Sequence, residues 1–460
     1  MDETDESLHY YYEDEVIYQE TIEDLWVHCI LPSVTSVFPI YYKIILVNLL
    51  FGSIVSTVKL PQTIFHLLSG SSGIFLLSNL ESPEGKIIIL AFFIQSYLLL
   101  HIGCYVQNKY DPVKKQDEIR LLSNSNIVKY CLIAILVLCE YFLLKSETWM
   151  EIRGVVMIFS MKLISLAEDA GKGVTIFPSC IQYFGYIFCG SNVMFGPWIS
   201  FQEYTILYHN PTKKNTWWIL GVLRAVATSA IFLIVSNCLA NYFIKDDACV
   251  WLVAYKEALT FRTSHYFICY LSEASMLAAG FKNHKMWKEP RQWRFVLVEP
   301  AKIEFPTALA IVVTNWNKPM HDFLKRYIYK SWLPLGKFHG ILATFVISSF
   351  LHGFELKVSV VLITIGIFSY LQFAVRDQFA KAFNCCIRVY PCKSCTHKFK
   401  RDRVVSRICQ LVFASTSVVH LVYLGMIMDS STDEIGILGK WRNLYFVSFW
   451  IMICNVLILI

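Results

Sequence analysis

The sequence predicts an all-α polytopic membrane protein, a bundle of about ten or eleven helical segments around an internal chamber. Three observations lead there. Hydrophobic residues fill 55% of the 460 positions and charged residues only 17%, where a soluble chain carries roughly a quarter charged. Apolar stretches recur at 38–57, 86–106, 128–144, 219–243, 338–375, 404–428 and 444–460, and a bilayer-spanning helix needs about 20 such residues. The stretches are continuous rather than alternating, which excludes a transmembrane barrel.

The chain divides into two parts. Residues 1–24 hold ten Asp or Glu and no Lys or Arg. That is the opposite of the basic start of a cleavable signal peptide, and the segment reads as an acidic, disordered tail. Residues 25–460 read as one membrane-embedded domain, without repeats or a soluble insert. Of the 35 acids, 25 remain in this part against all 41 Lys and Arg, so its net charge is +16 (41 − 25). The basic residues gather at 108–120, 282–294 and 376–403, the last with eight Lys or Arg and two Asp. Such loops face the cytosol. A basic mouth also suits a phosphate-bearing co-substrate; topology is the stronger reading, and no nucleic-acid partner is expected.

Several segments are too polar for simple spans. MKLISLAEDAG at 161–171 ends in charges and reads as an interfacial helix. Residues 252–281 contain Lys256, Glu257, Arg262, His265 and Glu273, and a helix carrying them must face protein or water. Residues 298–327 mix prolines, charges and a short apolar stretch, the pattern of a broken region that lines a cavity.

The longest apolar run, Phe338 to Val375, has 38 residues. One straight helix of that length would measure about 57 Å, against about 30 Å of hydrocarbon, so the run must be broken. Gly353 is the expected break, which places His352 at a helix junction beside Glu355 and Lys357. An ionisable residue there is a functional candidate. Position alone serves a structural histidine, bonded between helices, equally well.

A second feature weighs on the choice. In TNWNKPM, Asn317 precedes Lys318-Pro319, so a helix should end close to it. A histidine that takes a hydroxyl proton and an amide that holds substrate or a developing oxyanion form a credible acyl-transfer pair. No G-x-S-x-G, Walker loop or H-E-x-x-H occurs. Ser348 and Ser349 lie near His352 in sequence and are expected to face neighbouring helices. The fifteen cysteines are mostly in apolar runs, where cysteine serves as a small hydrophobe. Cys385, Cys386, Cys392, Cys395 and His397 instead share the basic loop. C-x-x-C-x-H is not a standard four-ligand framework, so no metal site is expected; a reduced, S-acylated cytosolic segment is favoured over zinc.

The stretches MKLISL (161–166), FGPWISF (195–201), YLSEASMLAAGF (270–281), VVTNWNKPM (312–320), LHGF (351–354) and HLVYLG (420–425) together resemble the membrane-bound O-acyltransferases, and within them the branch that acylates Wnt proteins. LHGF is common across the superfamily; FGPWISF and WNKPM are more specific. The resemblance implies transfer of a palmitoleoyl group from palmitoleoyl-CoA, as co-substrate with no further cofactor, to a Wnt serine in the endoplasmic reticulum membrane. Catalytic roles then fall to His352 and Asn317, and Trp316 lines the acyl-CoA site. Lys357 stands where the resemblance would put a second histidine. The competing readings are an acyltransferase for a lysophospholipid or sterol, a transporter, and a non-enzymatic scaffold. Transporters of this kind often show two similar halves, and none is visible.

Overall fold

The computed structural model describes residues 21–110, 131, 132, 134, 135, 138, 139, 146–211, 214–282, 295–352, 355–390, 392, 394–428 and 436–459. Among the described residues the chain is helical, and the sole β interaction is a bridge between Cys385 and Phe399. Among the described residues five helices are long and apolar enough to cross a membrane, six if the bent pair Gly436–Asn443 and Val447–Leu459 is one span. The ten or eleven segments expected are not a count these residues fix, since most of 111–145 lies outside them. So do residues 1–20 of the acidic tail and most of the basic segments 108–120 and 282–294.

Helix α1, Ile22–Thr57, starts on a capping box in which the Thr21 hydroxyl accepts from Asp24 N and the Asp24 carboxylate accepts from Thr21 N, two orphan donors satisfied reciprocally. Helices α2 (Gln62–Leu77) and α3 (Pro83–Tyr110) follow. Helix α4 (Ser146–Gly171) overturns the interfacial reading of 161–171. Met161, Lys162, Leu163, Ile164 and Leu166 are all buried in the core. The cause is Lys162, whose ammonium donates to Tyr186 O at 2.8 Å, Ile187 O at 3.0 Å and Asn192 Oδ1 at 2.8 Å. A lysine with all three donors bonded can be buried, and the pattern of charges hid that.

Small residues set the next packing step. On α2, Ser69 donates to Gly185 O at 2.9 Å, and Gly73 lies so close to Phe188 that a Cβ would stand 1.8 Å from its carbonyl oxygen. That fixes α5 (Cys180–Ile187), which leads through 188–200 to α6 (Phe201–His209). Helix α7 (Thr216–Phe243) is tied to α1 by a disulfide, Cys29–Cys238. Cysteine in an apolar stretch is expected to serve as a small hydrophobe, but these two pair with each other. Their separation of 209 residues gives the sequence no cue to the pairing.

Helix α8 (Val250–Ala279) is the central post, buried along its second half as its charges required. It ends at Gly280, φ 101°, where glycine alone is unstrained. The region 298–327 is broken as expected, into α9 (Pro300–Glu304), α10 (Leu309–Trp316) and α11 (Lys318–Leu324), the last continued to Leu335 by shorter turns. The long apolar run is α12 (Lys337–Leu351) and α13 (Leu356–Ala382). It divides at the expected place, although Gly353 and Phe354 themselves lie outside the described residues. Ser349 and Ser359 bond across this pair at 2.5 Å, so Ser349 serves helix packing. Helix α14 (Val404–Gly425) packs on α8, and α15 (Gly436–Asn443) with α16 (Val447–Leu459) closes the bundle.

Candidate active site

His352 is the residue after α12, and its backbone N donates to Ser348 O at 3.1 Å and Ser349 O at 3.2 Å. It is half-buried. It looks into a cavity of about 850 Å³, the size of a substrate site. Asn79, Glu81, Glu147, Glu151, Arg153 and Glu355 supply the polar part of its wall. Arg153 Nη1 meets Glu355 Oε2 at 2.7 Å, bridging α4 to the start of α13 beside His352. Arg153 and Glu355 line the same cavity as His352. Sequence reading placed Glu355 beside His352 and missed Arg153, Glu147 and Glu151, which are about 200 residues away in the chain.

Asn317 separates α10 from α11, with φ −147° and ψ 93°. The proline two residues on blocks continuation of the helix. Its side-chain oxygen accepts from Met320 N at 3.1 Å, capping α11, so the amide's capacity toward a substrate is its NH₂ group. Trp316 stacks face to face on His265, ring centroids 4.4 Å apart and 4° from parallel, and its carbonyl bonds His265 Nε2 at 3.0 Å. Among the described residues no hydrogen bond joins Asn317 to His352. His265 is held against Trp316 by that stack and that bond. Lys318 forms an ion pair with Glu299, and Lys318 N donates to Leu297 O at 2.8 Å, which pins this junction.

Three of the other motif stretches pack against one another beside the cavity. Trp198 Nε1 donates to Ser165 Oγ at 3.0 Å and Asn192 Nδ2 to Pro197 O at 3.2 Å. Ser272 donates to Phe195 O, and Ser275 Oγ to Ser191 O at 2.8 Å. MKLISL, FGPWISF and YLSEASMLAAGF are therefore one hydrogen-bonded unit that presents Met194 and Phe195 to the cavity. A second, almost wholly apolar cleft of about 330 Å³ runs along α12, lined by His339, Leu342, Ala343, Val346, Ile347 and Phe350 with Trp332. Its i, i+3, i+4, i+7 spacing is one helix face, ending two residues before His352.

Helix directions give the molecule two faces. Lys214 Nζ bonds Ala278 O at 3.3 Å beside Gly52, so the end of α1, the start of α7 and the end of α8 lie together. The disulfide is at the other end of α1 and α7. Gly425 at the end of α14 touches Ala258 near the start of α8, on the disulfide's side. The start of α14 and the loop carrying Cys386, Cys392, Cys395 and His397 therefore lie on the opposite face. With 27 residues, α13 is about 40 Å long and leads from that loop to Glu355 and the cavity. The cavity is thus on the disulfide's side.

A family model described as "MBOAT, membrane-bound O-acyltransferase family" matches residues 86–394. The chain is similar to "Protein-serine O-palmitoleoyltransferase porcupine" of Anopheles gambiae, 32% identical over 94% of this chain and 92% of the relative. It is similar to the protein of the same name in Mus musculus, 32% identical over 69% of this chain and 74% of the relative. A more distant likeness, to "Lysophospholipid acyltransferase 1" of Arabidopsis thaliana, is 24% identical over 48% of this chain and 57% of the relative.

Proposed function

This chain belongs to the membrane-bound O-acyltransferase family, and we propose that it transfers a palmitoleoyl group from palmitoleoyl-CoA to a serine hydroxyl of Wnt proteins at the endoplasmic reticulum membrane. The observation that carries the choice of acceptor is the stronger likeness to protein-serine O-palmitoleoyltransferases, 32% identical over 94% of the chain, against 24% over 48% and 21% over 63% for lysophospholipid enzymes.

The reaction needs few parts. The serine Oγ forms a bond to the thioester carbon, the carbon–sulfur bond breaks, and CoA leaves as the thiol. His352 takes the serine proton and returns it to the departing sulfur. Such base help contributes about 10²–10⁴-fold. The Asn317 NH₂ group donates to the substrate or to the carbonyl oxygen as it gains charge. Trp316, which the resemblance assigns to the acyl-CoA site, stacks on His265 and lines neither of the two cavities described. The apolar cleft along α12 takes the acyl chain, where each buried CH₂ contributes about 0.8 kcal/mol.

Orientation follows from redox chemistry. Disulfides persist in oxidising lumens and thiols in the reducing cytosol. The Cys29–Cys238 face is accordingly lumenal and the Cys386–His397 face cytosolic, in agreement with the basic loop at 376–403. A Wnt substrate folds in the lumen and reaches the cavity from the disulfide's side; CoA, kept in the cytosol, enters from the other.

The deciding experiment gives the purified full chain palmitoleoyl-CoA with either a serine-containing Wnt hairpin peptide or a lysophospholipid. Acylation of the peptide, lost when its serine becomes alanine, supports the proposal. Acylation of the lipid with none of the peptide contradicts it.

A further inference from the structure

We propose that Cys386, Cys392, Cys395 and His397 bind one structural zinc ion at the cytosolic face, a site unrelated to acyl transfer. The four ligand atoms lie within 4.8 Å of one another. Cys386 Sγ is 4.0 Å from Cys392 Sγ. Cys392 Sγ and Cys395 Sγ lie 3.9 and 3.5 Å from His397 Nδ1. Tetrahedral zinc, with bonds of about 2.3 Å to sulfur and 2.0–2.1 Å to nitrogen, requires edges of about 3.8 Å between sulfurs and about 3.5 Å between sulfur and nitrogen. The observed distances fit that polyhedron. They do not fit a disulfide, whose sulfurs are about 2.05 Å apart.

The spacing C-x-x-C-x-H lacked a fourth ligand, and Cys386 supplies it from across the loop. The main chain holds it there independently of a metal. Cys386 N donates to Phe399 O at 2.8 Å and Phe399 N to Asn384 O at 3.1 Å, across the bridge between Cys385 and Phe399. Asn384 takes the left-handed conformation, φ 49°, which asparagine tolerates better than most residues. Three thiolates with Zn²⁺ leave one negative charge, and Arg388, Lys398, Lys400, Arg401 and Arg403 surround it in sequence. Cys386 is buried and the other three ligands are half-buried, a poor arrangement for carrying acyl chains into the bilayer.

Four protein ligands close the coordination shell, so the site is structural. Its place explains its use. It ties the link between α13 and α14, and buried Arg376 extends the tie, donating to Ile387 O at 2.8 Å and to Thr307 O, before α10, at 2.6 Å.

The test measures metal in full-length protein purified in detergent without chelator. Wild type and the control Cys454→Ser should carry about one zinc per chain, and Cys392→Ser/Cys395→Ser fewer than about 0.2. Should the double variant not fold, wild type produced in cobalt-supplemented medium gives the answer, through thiolate-to-cobalt absorption with four-coordinate bands. Zinc below about 0.2 per chain in wild type overturns the proposal. So does zinc that survives the double substitution, cobalt protein without those bands, or mass-spectrometric detection of an acyl thioester on Cys386, Cys392 or Cys395.

Discussion

Replacing Gly425 with alanine should wedge apart two helices, α14 and α8, at the end of the bundle that carries the disulfide. A Cβ at 425 would stand 2.7 Å from Ala258 Cβ and 3.1 Å from Ala258 Cα. Carbon atoms in contact prefer about 3.5–4.0 Å, so α14 must move from α8 by about 1 Å. Overpacking of this kind costs about 1–3 kcal/mol. Alanine's better helix propensity returns at most about 1 kcal/mol, and less at the last turn, where Gly425 sits. The net expectation is a loss of about 1–2 kcal/mol. The contact also predicts its own partial rescue. Ala258→Gly removes the atom that is struck, so Gly425→Ala/Ala258→Gly should be more stable than the sum of the two single changes by at least about 0.5 kcal/mol, as expected for residues in contact. Thermal unfolding of the four proteins in one detergent reads both numbers. A Gly425→Ala protein as stable as wild type, or a double variant showing only additive losses, would refute the close packing of α14 on α8.

Three further outcomes follow from the same geometry. Asn317→Asp should keep the cap on α11, since aspartate caps as well as asparagine, yet lose roughly 10–10³-fold in turnover because a carboxylate repels an oxyanion; Asn317→Ala should lose turnover and also about 1 kcal/mol of stability, and a fully active Asn317→Asp would remove the amide from the mechanism. Arg153→Met should shift stability by less than about 1 kcal/mol, because its pair with Glu355 is partly solvated, with side chains 41% and 37% exposed; a larger loss, read by thermal unfolding, would mean the pair is buried. In sealed microsomes, palmitoleoyl-CoA added outside should label a Wnt peptide held inside; transfer seen only with both substrates on one side would place His352 in a one-sided site.

Much of the architecture was legible because it rests on local chemistry. Length against bilayer thickness broke the run at 338–375, and the charges of 252–281 required a buried post. The proline after Lys318 put Asn317 at a helix end. What was not legible depended on partners far away in the chain. Lys162 looked interfacial because its acceptors, Tyr186 O and Ile187 O at the end of α5 and Asn192 in the loop after it, are not announced by the sequence around Lys162. Cys29 and Cys238 sit in separate apolar stretches with nothing to announce their pairing. Cys386 belongs with Cys392 only because a main-chain bridge folds the loop back. The resembling stretches pointed to the right family, but most of their residues pack against one another rather than line the cavity, and only His352 among the expected site residues faces it.

The central claim is that His352 is the general base. It is tested most directly by His352→Ala in purified full-length protein, measuring palmitoleoyl transfer to the Wnt peptide together with acyl-CoA binding and thermal stability. The account predicts unchanged folding and binding with turnover lowered at least 10²-fold. A folded His352→Ala protein that keeps more than about a tenth of wild-type turnover would contradict it.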